Sequence, residues 1–127
     1  MNENASVHLE EIGQIAVTVT DLDAARTFYR DALGMRFLFD AGTMAFFQCG
    51  GIRLLVGTAG ETQPGGGTTL YFKVADLQNV HLALVEQGVK FKQEPHLVAR
   101  MKSHDLWLAF LLDPAGNVLG LIEEKQR

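Results

Sequence analysis

The sequence predicts an α+β domain made of two βαβββ modules, and three observations point to it. Ile15-Ala-Val-Thr-Val-Thr-Asp-Leu22 is echoed by Leu70-Tyr-Phe-Lys-Val-Ala-Asp-Leu77, each alternating apolar side chains ahead of an Asp-Leu pair. Both stretches run into an apolar stripe at helical spacing that stops on a glycine, Gly34 in one copy and Gly88 in the other. The echo then continues, with Ala45-Phe46-Phe47 and Gly51-Ile-Arg-Leu54 answered by Ala109-Phe110-Leu111 and Gly116-Asn-Val-Leu119.

Each element has a local cause. Alternation before the Asp-Leu pair means a half-buried strand, with successive side chains on opposite faces. Asp21 and Asp76 are then placed to cap helices through their carboxylates. Leu22, Ala25, Phe28, Tyr29, Ala32 and Leu33 form the apolar stripe of the first helix, and Leu77, Val80, Leu84 and Val85 that of the second. Gly34 and Gly88 end them and lead into strands through Met-Arg-Phe37 and Val-Lys-Phe91. Cys49-Gly50-Gly51 and Asp113-Pro-Ala-Gly116 supply turn residues between the closing strands. Module 1 is expected over about 11–59, a flexible polar linker containing Pro64-Gly-Gly-Gly67 over about 60–67, and module 2 over about 68–124. Half a chain of this size is marginal alone, so both halves should belong to one domain, 1–127.

Hydrophobic residues at 47% against 20% charged describe an ordinary globular core, and no apolar run is long enough to span a bilayer. The segment from Met1 to Glu11 is polar and acidic, without the apolar stretch of a secretory signal. With a single cysteine, Cys49, this predicts a cytoplasmic protein. Cys49 itself reads best as a half-buried strand residue. The net charge of −4, with basic residues scattered, argues against a nucleic-acid partner and leaves small molecules.

Two separated motifs carry a family likeness. Gln14-Ile-Ala-Val-Thr-Val-Thr-Asp-Leu-Asp-Ala-Ala-Arg-Thr-Phe-Tyr-Arg-Asp-Ala-Leu-Gly34 resembles the opening of the vicinal-oxygen-chelate superfamily, which holds glyoxalases, bleomycin-resistance proteins and extradiol dioxygenases. Phe110-Leu-Leu-Asp-Pro-Ala-Gly-Asn117, followed by a last strand ending Ile122-Glu-Glu124, resembles its close. The resemblance implies a cupped eight-stranded mixed sheet with the helices outside and a ligand site within. In metal-dependent members four strand positions supply ligands, His or Gln first, then Glu, His and Glu. Carried over, these positions are Gln14, Leu55, Thr69 and Gly120. Leu and Gly offer no donor and a neutral hydroxyl is a poor one, so the resemblance implies no metal at this position, and no cofactor is expected.

Gln14, Thr69 and Tyr71 fall on the more polar strand faces, opposite Ile15, Val17, Leu70 and Phe72, and are expected in the cup. Arg53 shares parity with Leu55, where its fork could clamp a carboxylate or phosphate, although a surface cation fits equally. Lys73 can snorkel at the rim. His96 and His104 lie beside a strand that lines the cup in relatives, but lack a metal-ligand spacing. Trp107 has opposite strand parity to His104 and reads either as a ligand-stacking or as a core residue. His81 reads as a partly buried structural histidine.

Gln14, Arg53, Thr69 and Tyr71 are thus expected to converge on one cavity, with His96, His104 and Trp107 as further ligand-binding candidates; no catalytic residue stands out. Two functions remain open. One is a metal-free protein that holds a small organic molecule, like the antibiotic-sequestering branch of the superfamily. The other is a lyase, isomerase or dioxygenase with atypical residues such as His96 and His104, and a subunit that serves only to pair is a blander possibility. A homodimer is expected because the sheet edges need covering, with Phe37, Phe39, Phe46 and Phe47 offering apolar area.

Overall fold

The structure, a computed structural model, describes residues 7–58 and 63–127. Strand β1 (Gln14–Thr18) leads into helix α1 (Leu22–Thr27), which continues as a wider π-helical turn over Phe28–Ala32. Strands β2 (Arg36–Ala41), β3 (Met44–Cys49) and β4 (Ile52–Gly57) complete the first module. The second repeats the order with β5 (Leu70–Lys73), α2 (Leu77–Glu86), β6 (Phe91–Arg100), β7 (His104–Leu112) and β8 (Val118–Gln126).

The caps are the ones the repeat implies. Asp21 accepts from the Ala24 amide at 3.1 Å and Asp76 from the Asn79 amide at 3.2 Å. Gly34 and Gly88 follow the helices at φ of 69° and 86°, a left-handed conformation open to glycine at little cost. In the π-helical turn the Leu33 amide reaches the carbonyl of Phe28.

The eight strands form two four-stranded sheets, ordered β1-β4-β3-β2 and β5-β8-β7-β6. In each, the first strand runs parallel to the last strand of its own module and the rest pair antiparallel. Among the described residues no strand of one module pairs with a strand of the other, so the eight-stranded cup is not a single ladder within one chain. Strand β6 departs most from regular pairing, with register shifts on both sides of Pro95, a residue that cannot donate to a ladder.

One face of each sheet packs into a single shared core. Ala45, Phe47, Leu54 and Val56 from module 1 meet Ala109, Leu111, Leu119 and Leu121 from module 2, with Ala25, Tyr29, Leu77 and Leu84 of the helices between. Ile15, Val17, Leu70 and Phe72 pack against this core, as alternation predicted. Phe37 and Phe47 belong to it as well, joined edge-to-face at 5.6 Å, so of the four phenylalanines expected at a dimer contact only Phe39 and Phe46 face outward. Trp107 also packs against the core. His81 is edge-on to Phe91 at 4.5 Å, which suits its structural reading.

A buried polar knot ties the modules together. The Tyr29 hydroxyl donates to Asp113 at 2.9 Å, and the Asn117 side-chain amide donates to Asp113 at 2.8 Å and to the carbonyl of Thr18 at 2.9 Å. The second Asp113 oxygen accepts the amides of Ala115 and Asn117. Asn117 also accepts from the amide of Gly65, so this part of the expected flexible linker is pinned; residues 60–62 of it lie outside the described residues.

Candidate functional site

Strand register decides which side chains can meet. On the first sheet Gln14 lies opposite Arg53, and Arg53 opposite Gln48, which faces Arg36. The next row on the same face is Ala16, Leu55, Phe46 and Phe39. On the second sheet the matching face carries Tyr71, Gly120, Phe110 and Gln93 in one row, and Lys73, Ile122, Leu108 and His96 in the next. Neither face is covered by a helix of the chain, and Tyr71 and Phe39 remain 50% and 45% exposed.

Gln14 and Arg53 are brought into direct contact. The Arg53 Nε–H donates to Gln14 Oε1 at 3.0 Å, and its guanidinium stands 5.7 Å from the ring centroid of Phe46. Phe46 in turn stacks on Phe39 at 4.6 Å and 19°. Gln14 is thereby committed as an acceptor to Arg53 and presents its amide donors to the open face.

Tyr71 makes its own arrangement on the other sheet. Its ring is edge-on to Phe110 at 5.8 Å and leans over Gly120, where a Cβ would meet Tyr71 Cδ2 at 2.6 Å. Only glycine leaves room for the ring in that position. Gly120→Ala is expected to cost about 1–2 kcal/mol through overpacking, and Tyr71→Ala in the same chain should recover most of it. Thermal unfolding of the two single variants and the double variant checks this; additive losses would show that ring and glycine do not interact.

The remaining candidates divide. Thr69 is half-buried just ahead of β5. His96 holds its Nδ1 2.8 Å from the carbonyl of Glu94 and is paired with Leu108, while the ring of His104 lies 3.2 Å from the Ser103 hydroxyl. The two histidines share a face, but the register separates them by four β7 residues, about 13 Å at the usual strand rise, too far for one metal ion. Trp107 opposes Leu97 and Glu123 on the helix-covered face, with the Lys125 ammonium 5.9 Å from its ring centroid.

Within one chain Gln14 and Arg53 lie on one sheet and Tyr71 on the other, with Thr69 just ahead of β5, and two sizeable crevices among the described residues include none of them. The larger, of about 840 Å³, runs between α1 and the β7–β8 turn, and the other, of about 460 Å³, lies between the modules beside Met35 and Phe72.

The family's metal positions fail as a donor set on this geometry. Gln14 Oε1 already accepts from the positively charged Arg53, Leu55 is aliphatic, Thr69 offers a neutral hydroxyl, and the space beside Gly120 is filled by the Tyr71 ring. Among the described residues no three His, Cys, Asp or Glu side chains cluster as a metal site elsewhere. No helix among them is long and apolar enough to cross a membrane.

Sequence reading missed the Tyr29–Asp113–Asn117 knot, although its turn residues were visible. The signal available was a tyrosine inside an apolar helical stripe, whose hydroxyl needs a partner once buried.

Comparison with known proteins follows the same outline. The profile of the Glyoxalase/Bleomycin resistance protein/Dioxygenase superfamily matches residues 11–121. A superfamily member from Sphaerobacter thermophilus DSM 20745 superposes with a TM-score of 0.77 at 24% identity, covering 91% of this chain and 98% of its own. TnmS3, an antibiotic binding protein from Streptomyces sp. CB03234, gives 0.75 at 23%, covering 94% and 100%. Lactoylglutathione lyase from Agrobacterium tumefaciens gives 0.73 at 23%, covering 89% and 92%. These similarities speak to the fold alone, and no curated protein matches the chain. With the profile spanning both modules and both motifs, the chain belongs to the glyoxalase/bleomycin resistance protein/dioxygenase superfamily.

Proposed function

We propose that this protein binds a small organic molecule on the open faces of its sheets, without a metal ion, in a cup completed by a second copy of the chain. The observation that carries the reading is the replacement of a ligand set by packing and hydrogen bonding: Gln14 is bonded to Arg53 and the Tyr71 ring takes the space at Gly120. What remains on the two faces is an aromatic and aliphatic surface with a few directed donors, the composition usual for small-molecule sites. TnmS3, an antibiotic binding protein of the same fold, is consistent with such a role. A cytoplasmic setting fits the single thiol, Cys49. The lyase, isomerase or dioxygenase reading has less support, because His96 and His104 are too far apart to act on one atom.

The dimer follows from the separation of the faces. Strands β1 and β2 edge one sheet and β5 and β6 the other, and sheet edges of this kind invite pairing with a further chain. A two-fold partner that sets the Gln14 face of one chain toward the Tyr71 face of the other would make two equivalent cups. Sedimentation should find a dimer at micromolar concentration, and a persistent monomer would contradict the shared cup.

An NMR screen of a fragment library tests the binding directly. Hits should perturb Gln14, Arg53 and Tyr71, and Gln14→Ala or Tyr71→Ala should weaken them by about 1–3 kcal/mol each. Ile15→Ala or Phe72→Ala should instead lower stability and leave affinity nearly unchanged. Hits confined to the crevice beside α1 would contradict the placement.

A further inference from the structure

The hydrogen bond between Arg53 and Gln14 has a chemical polarity. Arginine only donates, so the acceptor it meets must be the Gln14 carbonyl, and the Gln14 NH2 group is left to donate elsewhere. Arg53 spends its Nε–H on that bond, and its two terminal nitrogens make no ion pair among the described residues. Side by side on adjacent strands, the two residues therefore present a donor-rich pair carrying a full positive charge.

The surroundings do not neutralise that charge. The rows of this face hold Gln14, Arg53, Gln48 and Arg36, then Ala16, Leu55, Phe46 and Phe39, then Thr18, Gly57, Met44 and Ala41, with no carboxylate in any of them. Asp40, the acid of β2, is turned to the helix side, where it accepts from Arg26 at 3.1 Å. Beside the donors stands an apolar pair, Phe46 and Phe39 stacked at 4.6 Å, with the Arg53 guanidinium over the Phe46 ring.

We infer that the ligand of this face is an anion with a planar aromatic body, its carboxylate held by Arg53 and Gln14 and its ring set against the Phe46–Phe39 pair. The inference rests on the ligand-binding reading above and adds the substrate class. Guanidinium and carboxylate match as a fork, and a charge-assisted bond of this kind is about twice as strong as a neutral one. Charge selects the ligand's head and stacking its body. A cationic ligand of the same shape meets Arg53 with like charge and is rejected.

Three probes of one shape separate these contributions: naphthalene-2-carboxylate, naphthalene-2-carboxamide and naphthalen-2-ylmethylammonium. Each is titrated into the intact protein while the side-chain N–H resonances of Gln14 and Arg53 are followed by NMR. The carboxylate is expected to bind about tenfold or more tighter than the other two, with its advantage shrinking as salt rises. Arg53→Gln should abolish the preference while leaving carboxamide affinity within about twofold, and Arg53→Lys should restore it only in part, since an ammonium lacks the fork. Because Arg53 is exposed, both variants should keep the wild-type unfolding temperature, which is measured alongside. A carboxamide that binds as tightly as the carboxylate, or a preference that survives Arg53→Gln, overturns the inference and leaves the cup reading intact. If no probe perturbs Gln14 and Arg53, the cup reading falls with it.

Discussion

Asp113→Ala is expected to destabilise the protein by about 3–5 kcal/mol, the largest loss from any single polar substitution in the chain. The carboxylate is only 4% exposed, and its removal strands the Tyr29 hydroxyl, two backbone amides and the Asn117 side chain without their acceptor. These groups join helix α1 to the β7–β8 turn, so the damage falls on the contact between modules. Urea unfolding measures it, and a loss under about 1 kcal/mol would show that water replaces the carboxylate at little cost. Tyr29→Phe removes one bond of the set and should cost about 1–2 kcal/mol.

The same knot makes a pH signature. Burial first, and then the neighbouring Asp113 charge and hydrogen bond, push the Tyr29 phenol far above its ordinary range. An unfolded tyrosine ionises near pH ~10, so above that the unfolded chain releases a proton that the native chain keeps. The contribution is therefore complete below about pH 10 and is lost as the pH climbs beyond it. Tyr29→Phe should flatten this alkaline decline, and an unchanged decline would place its cause elsewhere.

Phe47→Ala should cost about 3–5 kcal/mol, and Phe46→Ala, its immediate neighbour, under about 1 kcal/mol in the monomer. Phe47 has no exposed surface and touches Tyr29 and Phe37 at ring-centroid distances of 6.0 and 5.6 Å. Phe46 lies on the open face against Phe39 and Arg53, where its loss should be read in ligand affinity instead. Calorimetric unfolding at low protein concentration separates the two, and equal losses would mean that the open face is covered within the chain.

The duplication was legible because the same alternation, cap and glycine stop recur in both halves, and the two faces of each first strand follow from period-2 parity. Gln14 and Tyr71 are thus found on the open side, and Ile15 and Phe72 with the core. Parity also held the answer for Trp107, which alternates in step with the buried Ala109 and Leu111. Contacts between strands far apart in sequence were harder. The bond from Arg53 to Gln14 depends on the parallel register of β1 on β4, and the Tyr71 ring over Gly120 on that of β5 on β8. No local propensity encodes either register. The buried knot was hidden for the same reason: Tyr29 and Asp113 meet only when the modules pack on one another. The division into two sheets lay beyond reach as well, since alternation describes a strand's faces and is silent about which edges pair.

Metal content tests the central claim most directly, because the proposal rests on Arg53 bonded to Gln14 and the Tyr71 ring over Gly120 standing where relatives place metal ligands. Protein purified without chelator is assayed for zinc, nickel, iron and manganese, then titrated with each ion after stripping. The account predicts far less than one metal per chain and no saturable binding at micromolar concentration. About one tightly held transition metal per chain, lost on Gln14→Ala, would contradict it.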